Sequence, residues 1–147
     1  MKGRIRHDKL ILSIRLMNIV LFDGVCNFCN ASVLRLIRWD KSNQLRFASL
    51  QSEYANKTLK SLQLNPADLN SIVFINHTRE VFTKSTALLE IVKTLKGFPR
   101  VLLILSIIPR PVRDFLYDQF AKNRHKIFGR REVCMVPSAE LKERFLE

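Results

Sequence analysis

Two cysteines separated by two residues, Cys26 and Cys29 in the stretch FDGVCNFCN at 22–30, carry the strongest chemical signal in the chain. Thiols at i and i+3 on the first turn of a helix approach closely enough for a disulfide that closes a very small ring. The same spacing also serves as half of a zinc site, and two small core residues can share it by packing alone. Zinc needs two more ligands, and the available ones, Cys134, His7, His77 and His125, form no second close pair. Redox exchange is the favoured reading, with a zinc-binding module and inert core cysteines as the alternatives.

The flanking residues say how the pair is held. Asn18 to Phe22 (NIVLF) is a short apolar, β-branched run ending at the turn signal Asp23-Gly24, which reads as a buried strand. Beyond it Cys29, Val33, Leu36 and Ile37 recur at helical spacing, with Arg35 and Arg38 on the opposite face. The cysteines therefore sit where a strand gives way to a helix. Unpaired N–H groups and the helix dipole there favour the thiolate form of Cys26. Cys29, on the apolar face with Val33 and Leu36, is expected to be the more buried thiol. Cys26 is expected to attack and Cys29 to resolve. Asp23 is expected either to relay a proton to the thiols or to turn the chain with Gly24 and cap nearby N–H groups.

Further on, Leu45–Ala48 reads as a strand and Ser52–Leu62 as a helix. Ser71–Asn76 and Arg79–Phe82 flank the hairpin signature Asn76-His77-Thr78, and Leu88, Ile91, Val92 and Leu95 mark a third helix ended by Gly97 and Pro99. The order β-α-β-α-β-β-α predicts an α/β domain with a mixed sheet and helices on its faces. Arg100–Ile108 and Val112–Ala121, divided by Pro109-Arg110-Pro111, are helical in pattern and predict additional C-terminal helices on that sheet. Trp39 and Phe47 are expected in the core.

The chain has 147 residues, enough for one compact domain, assigned to 17–147 behind a basic extension at 1–16. Arg15 interrupts the apolar stretch of that extension and no small-residue cleavage site follows, so a disordered tail, a weak targeting segment and an over-long start are all open. The longest apolar run, Val101–Ile108, is far shorter than a bilayer span of about 20 residues. Three cysteines exclude a disulfide-stapled secreted scaffold and point to a reducing, cytoplasmic setting. The 25 Lys and Arg against 13 Asp and Glu give a formal net charge of +12. Much of it falls in 1–16 and 109–131, where solvated surface is the ordinary explanation and an anionic surface or acidic partner the functional one. Nucleic acid is not expected, and the alternative to redox turnover is a basic docking module built on 109–131.

DGVCNFC after the strand, FASLQSE at 47–53, KST at 84–86, PxxxRDFLYDxxAKNR ending at Arg124 and CMVP at 134–137 together resemble the DCC family of thiol-disulfide oxidoreductases. The likeness runs from about Asn18 to the C-terminus. It implies a thioredoxin-like fold and a protein or small-molecule disulfide or dithiol as substrate, with no organic cofactor. Compared with ordinary thioredoxins, Asn70-Ser71 stands where a cis-proline would precede the third strand, and Val20 replaces the buried acid. Cys134 is read either as a core cysteine or as a thiol exchanging with Cys26. Arg124 and His125 are read as surface charge by default, or as cations near Cys26 that orient an acidic substrate.

Overall fold

The computed structural model describes residues 17–65, 69, 71–133 and 136–146. The expectations for residues 1–16, Asn70 and Cys134 fall outside these residues.

Four strands form one mixed sheet in the order β2-β1-β3-β4, with β1 at Asn18–Phe22, β2 at Leu45–Ser49, β3 at Val73–Ile75 and β4 at Val81–Thr83. β1 and β2 run parallel, with Val20 opposite Phe47, across a connection through helix α1 (Asn27–Trp39). β3 is antiparallel to both β1 and β4. This is the expected thioredoxin-like α/β arrangement, and its pattern follows from the alternation of side chains along each strand. Val20 and Phe22 point to one face, where Phe47, Phe74, Val33 of α1 and Ala87 and Ile91 of helix α3 (Lys84–Thr94) complete a core. Ile19 and Leu21 point to the other and meet Ala55 and Leu59 of helix α2 (Glu53–Ser61). With β1 buried on both sides, its sequence is an unbroken apolar run. Trp39 packs partly buried against the first core and Phe47 is fully buried within it.

Beyond Gly97 the chain departs from the expected boundaries. Phe98–Ile107 forms a 3₁₀ helix, and helix α4 runs Arg110–Phe128 rather than Val112–Ala121. Pro111 lies in the first turn of α4, where its missing N–H has no intrahelical partner to lose, so it starts the helix instead of breaking it. Past Gly129 and the loop that follows, the C-terminal residues return to the β2 edge. Phe145 bridges beside Phe47, Leu146 N–H donates to Phe47 O at 2.8 Å, and Arg144 pairs with the buried Asp40.

A dithiol at a helix N-terminus

β1 delivers the chain to Asp23, and the turn Asp23-Gly24-Val25 presents Cys26 as the N-cap of α1, in an extended backbone conformation. A cap must accept from the free N–H groups of the first turn. Here the acceptor is sulfur, since Cys26 Sγ receives the Cys29 N–H at 3.3 Å. The turn is locked by Asn30 Nδ2 donating to Gly24 O at 2.9 Å and by Gly24 N–H donating to Gln51 Oε1 at 3.0 Å.

Burial of the two thiols is the reverse of the expectation. Cys26 is 0% exposed, whereas Cys29 is half-buried. Periodicity correctly put Cys29 on the inner face of α1, but α1 does not close fully on its neighbours there. Cys26 is covered by a short strap after α4. Arg130 bridges to Cys26, Arg131 N–H donates to Val25 O at 2.7 Å, Arg131 Nε donates to Asn27 Oδ1 at 2.9 Å, and Asn27 Nδ2 donates to Phe128 O at 3.0 Å. Partial burial, and then the hydrogen bond to Cys26, push the Cys29 thiol well above its ordinary range, against the pull of Arg124.

Asp23 both turns the chain and lies near the Cys26 sulfur. Its Oδ1 accepts from Val25 N–H at 3.2 Å and Gln51 Nε2 at 3.1 Å. Its Oδ2 meets Arg124 Nη2 at 3.1 Å and His125 Nε2 at 3.3 Å. One ligand-type atom from each of Asp23, Cys26 and His125 lies within 4.8 Å of the other two. The default reading of Arg124 as surface charge is corrected: its side chain is only 7% exposed, because α4 lies across the N-terminus of α1 and turns Arg124 inward.

FASLQSE, KST and the run along α4 are tied to this turn or to one another. Gln51 of FASLQSE ties β2 to Asp23 and Gly24. Ser85 of KST donates to Asp114, and Lys84 pairs with Asp118 at 2.8 Å, so α3 and α4 are joined twice. The Tyr117 side-chain hydroxyl (Oη) accepts from Ile72 N–H at 3.0 Å, beside the position where a thioredoxin would carry its proline. Sequence reasoning named neither Gln51, Tyr117 nor the Arg130-Arg131 strap as site residues. The first two stood inside recognised stretches, which was the available signal, whereas nothing local marks the strap.

Two cavities flank the dithiol. One, of about 610 Å³, is lined by Asp23, Gln51, Ser71, Lys84, Asp118, Lys122, Arg124, His125 and Arg130. The other, of about 450 Å³, is lined by Cys29 together with mostly apolar side chains of α1, α3, the 3₁₀ helix and α4. Ser71 thus faces the polar side, while His77 lies in the β3–β4 turn, apart from the thiols.

A thioredoxin-like α/β domain with a dithiol at the N-terminus of its first helix is the class that fold and site define. Residues 20–130 match the DCC1-like thiol-disulfide oxidoreductase family, and the chain belongs to that family. It is 43% identical over 128 residues to the protein YuxK of Bacillus subtilis (strain 168), described as uncharacterized, covering 87% of this chain and 93% of that protein. It is 41% identical over 117 residues to a DCC family protein of Arabidopsis thaliana described as chloroplastic, covering 79% of this chain and 67% of that one. No solved structure matches the chain. Among the described residues no helix is long and apolar enough to cross a membrane.

Proposed function

We propose that this protein catalyses thiol–disulfide exchange by cycling Cys26 and Cys29 between dithiol and disulfide, as a protein-disulfide reductase of a reducing compartment such as the cytoplasm. The observation that carries the reading is the cap, in which Cys26 Sγ accepts the Cys29 N–H at 3.3 Å, and partial burial raises the Cys29 thiol above its ordinary range. A sulfur at the helix N-terminus is the one the first-turn N–H groups support, so Cys26 is assigned the attack. Its thiolate opens a substrate disulfide, giving a mixed disulfide and releasing one substrate thiolate. Cys29 loses its proton and attacks Cys26 Sγ, which forms the internal disulfide and frees the second substrate sulfur. Asp23, which lies near Cys26 and acts electrostatically on Cys29, is assigned the relay of the proton. The five basic side chains of the polar cavity, against Asp23 and Asp118, support acidic segments as substrates once the strap moves off Cys26.

Trapping tests this. Cys29→Ser cannot resolve the mixed disulfide and is expected to hold covalent partners on Cys26 that Cys26→Ser does not hold. Equal recovery from the two variants, with no reversible Cys26–Cys29 disulfide in the wild type, would sink the reading.

The grouping of Asp23, Cys26 and His125 favours one second reading, a zinc site. The oxygen of Asp23 that faces His125 also holds the Arg124 guanidinium at 3.1 Å, a cation against which a divalent ion would be repelled. Metal analysis of the reduced protein decides it: stoichiometric zinc lost in Asp23→Asn would favour the metal. The basic docking reading keeps one support, exposed Val101, Ile104, Ile107, Val112 and Phe115 beside exposed Arg100 and Arg110. Salt-sensitive binding of anionic vesicles that survives Cys26→Ser would favour it.

A further inference from the structure

The apolar cavity has a shape and a charge that the exchange reaction with acidic substrates does not use. Arg113, Leu116, Tyr117, Phe120 and Arg124 of α4 line it at i, i+3, i+4, i+7 and i+11, one continuous face of the helix. It therefore extends along α4 for about 16 Å, from Arg124 and Cys29 at one end to Arg113 at the other. Between them the walls are apolar, with Leu36, Leu88, Leu105 and Phe28 among them.

The Arg113 end is electrostatically incomplete. Among the described residues Arg113 has no ion pair, and its Nε and Nη1 are buried with no hydrogen-bond partner. The neighbouring Asp114 is taken up by Ser85 and Arg110. At the other end Arg124 is nine-tenths buried, and its Nε is likewise without a partner. A guanidinium set against apolar walls calls for an anionic oxygen in the same space. The thiol that meets this space is Cys29, while the strap closes the Cys26 side.

We propose that the cavity is the entry for a small amphipathic dithiol, with an apolar chain ending in a carboxylate at Arg113 and its thiols at Cys29, and that this molecule reduces the protein disulfide. The proposal rests on the exchange reading above and names its electron donor. A substrate thiolate attacks Cys29 Sγ and the Cys26–Cys29 bond breaks. Cys26 leaves as the thiolate, the leaving group best supported by the helix N-terminus. The second substrate thiol then attacks its own bound sulfur, which closes a cyclic disulfide and returns Cys29 as a thiol. Two electrons and two protons pass from substrate to protein. The two sulfurs thus serve different halves of the cycle, Cys29 receiving electrons from the cavity and Cys26 passing them to the polar side.

Dihydrolipoate has this chemistry and serves as the probe, with dihydrolipoamide as its neutral analogue, dithiothreitol as a small polar dithiol and octanoate as a sulfur-free competitor. Oxidised full-length protein is reduced by each, and loss of the Cys26–Cys29 disulfide is followed by alkylation and mass. The expected result is that dihydrolipoate outpaces dihydrolipoamide by roughly tenfold or more, the worth of a charge-assisted contact. Octanoate should slow dihydrolipoate and leave dithiothreitol unaffected, and Arg113→Gln should collapse the preference for the acid over the amide. Equal rates for acid and amide in the wild type, with no effect of octanoate, would overturn the proposal while a disulfide reduced by dithiothreitol left the exchange reading standing. Finding no Cys26–Cys29 disulfide in oxidised protein would overturn both. The octanoate arm needs no variant, so the outcome does not depend on whether Arg113→Gln folds.

Discussion

The two sides of the Cys26–Cys29 pair are both walled by residues of α3 and α4 and differ in almost every other respect. On the polar side Lys84, Lys122, Arg124, His125 and Arg130 gather around Asp23 and Asp118. The nearer sulfur there, Cys26, is covered by a hydrogen-bonded strap. On the apolar side Phe28, Leu36, Leu88, Leu116 and Phe120 form the walls, and Cys29 is reached with no strap across it. Electrostatic interactions dominate the first side and dispersion and burial the second, so substitutions on each should fail in different ways. Arg124 and Asp23 line both cavities and form the boundary between them.

The largest effect is expected at that boundary. Asp23→Asn removes the negative charge that compensates the buried Arg124 and leaves His125 without its carboxylate. Stranding a buried charge costs about 3 kcal/mol, read as a lower midpoint in urea denaturation, and exchange at Cys26 should slow in parallel. A loss below about 1 kcal/mol would mean that Arg124 is solvated from the polar cavity, and the contrast between the two sides would then be one of shape only.

On the apolar side Phe28→Ala should cost about 2 kcal/mol. Its ring meets Phe120 and Phe128 at centroid distances of 4.8 Å each, which pins α1 to α4 over the cavity. The discriminating measurement is selectivity. Reduction by an apolar dithiol should weaken more than exchange with an acidic peptide disulfide, and equal losses would show that the two sides act as one site.

Gly129→Ala acts on the strap and should cost about 1 kcal/mol. Gly129 has φ 80°, and a Cβ there would lie 3.1 Å from Asn27 Nδ2, the group that holds Phe128 O. Loosening this anchor should speed alkylation of Cys26 while leaving Cys29 at its original rate. Acceleration at both thiols would mean that α4 itself had shifted and that the strap does not act alone.

How much of this was legible in the sequence depended on the range of the signal. β1 was read at Asn18–Phe22 because burial on both faces leaves an unbroken apolar run and Asp23-Gly24 ends it. The place of Cys26 at the start of a helix was legible from the change of period at Cys29 and Val33. The relative burial of the thiols was not, because it is set by Arg130 and Arg131, about a hundred residues away, docking on Val25 and Asn27. Arg124 misled for the same reason. A basic residue in a basic run looks solvated until the carboxylate 101 residues earlier is brought against it. The extent of α4 was misjudged locally, since Pro109 and Pro111 were read as a break although the second is at home in a first turn.

The smallest effect concerns protons and separates the sides most cleanly. Cys29 holds its proton more tightly in the folded protein than its ordinary value of 9.0 allows, first because of burial and then because of its hydrogen bond to Cys26. Above that value the unfolded chain releases the proton and the folded one retains it, so the unfolded state binds fewer protons and stability falls as pH rises. The contribution is therefore complete below pH 9.0 and is lost progressively above it. Cys29→Ala removes the titrating group, and its unfolding free energy should fall less steeply than that of the wild type between about pH 8 and about pH 10. The difference between the two slopes reports the thiol together with its lesser Coulombic effect on the half-buried Tyr117. A matching slope would mean that Cys29 ionises as freely in the folded state as in the unfolded one. In that case the cavity beside it is filled with water, and the apolar side would not exclude the solvent that an apolar dithiol must displace.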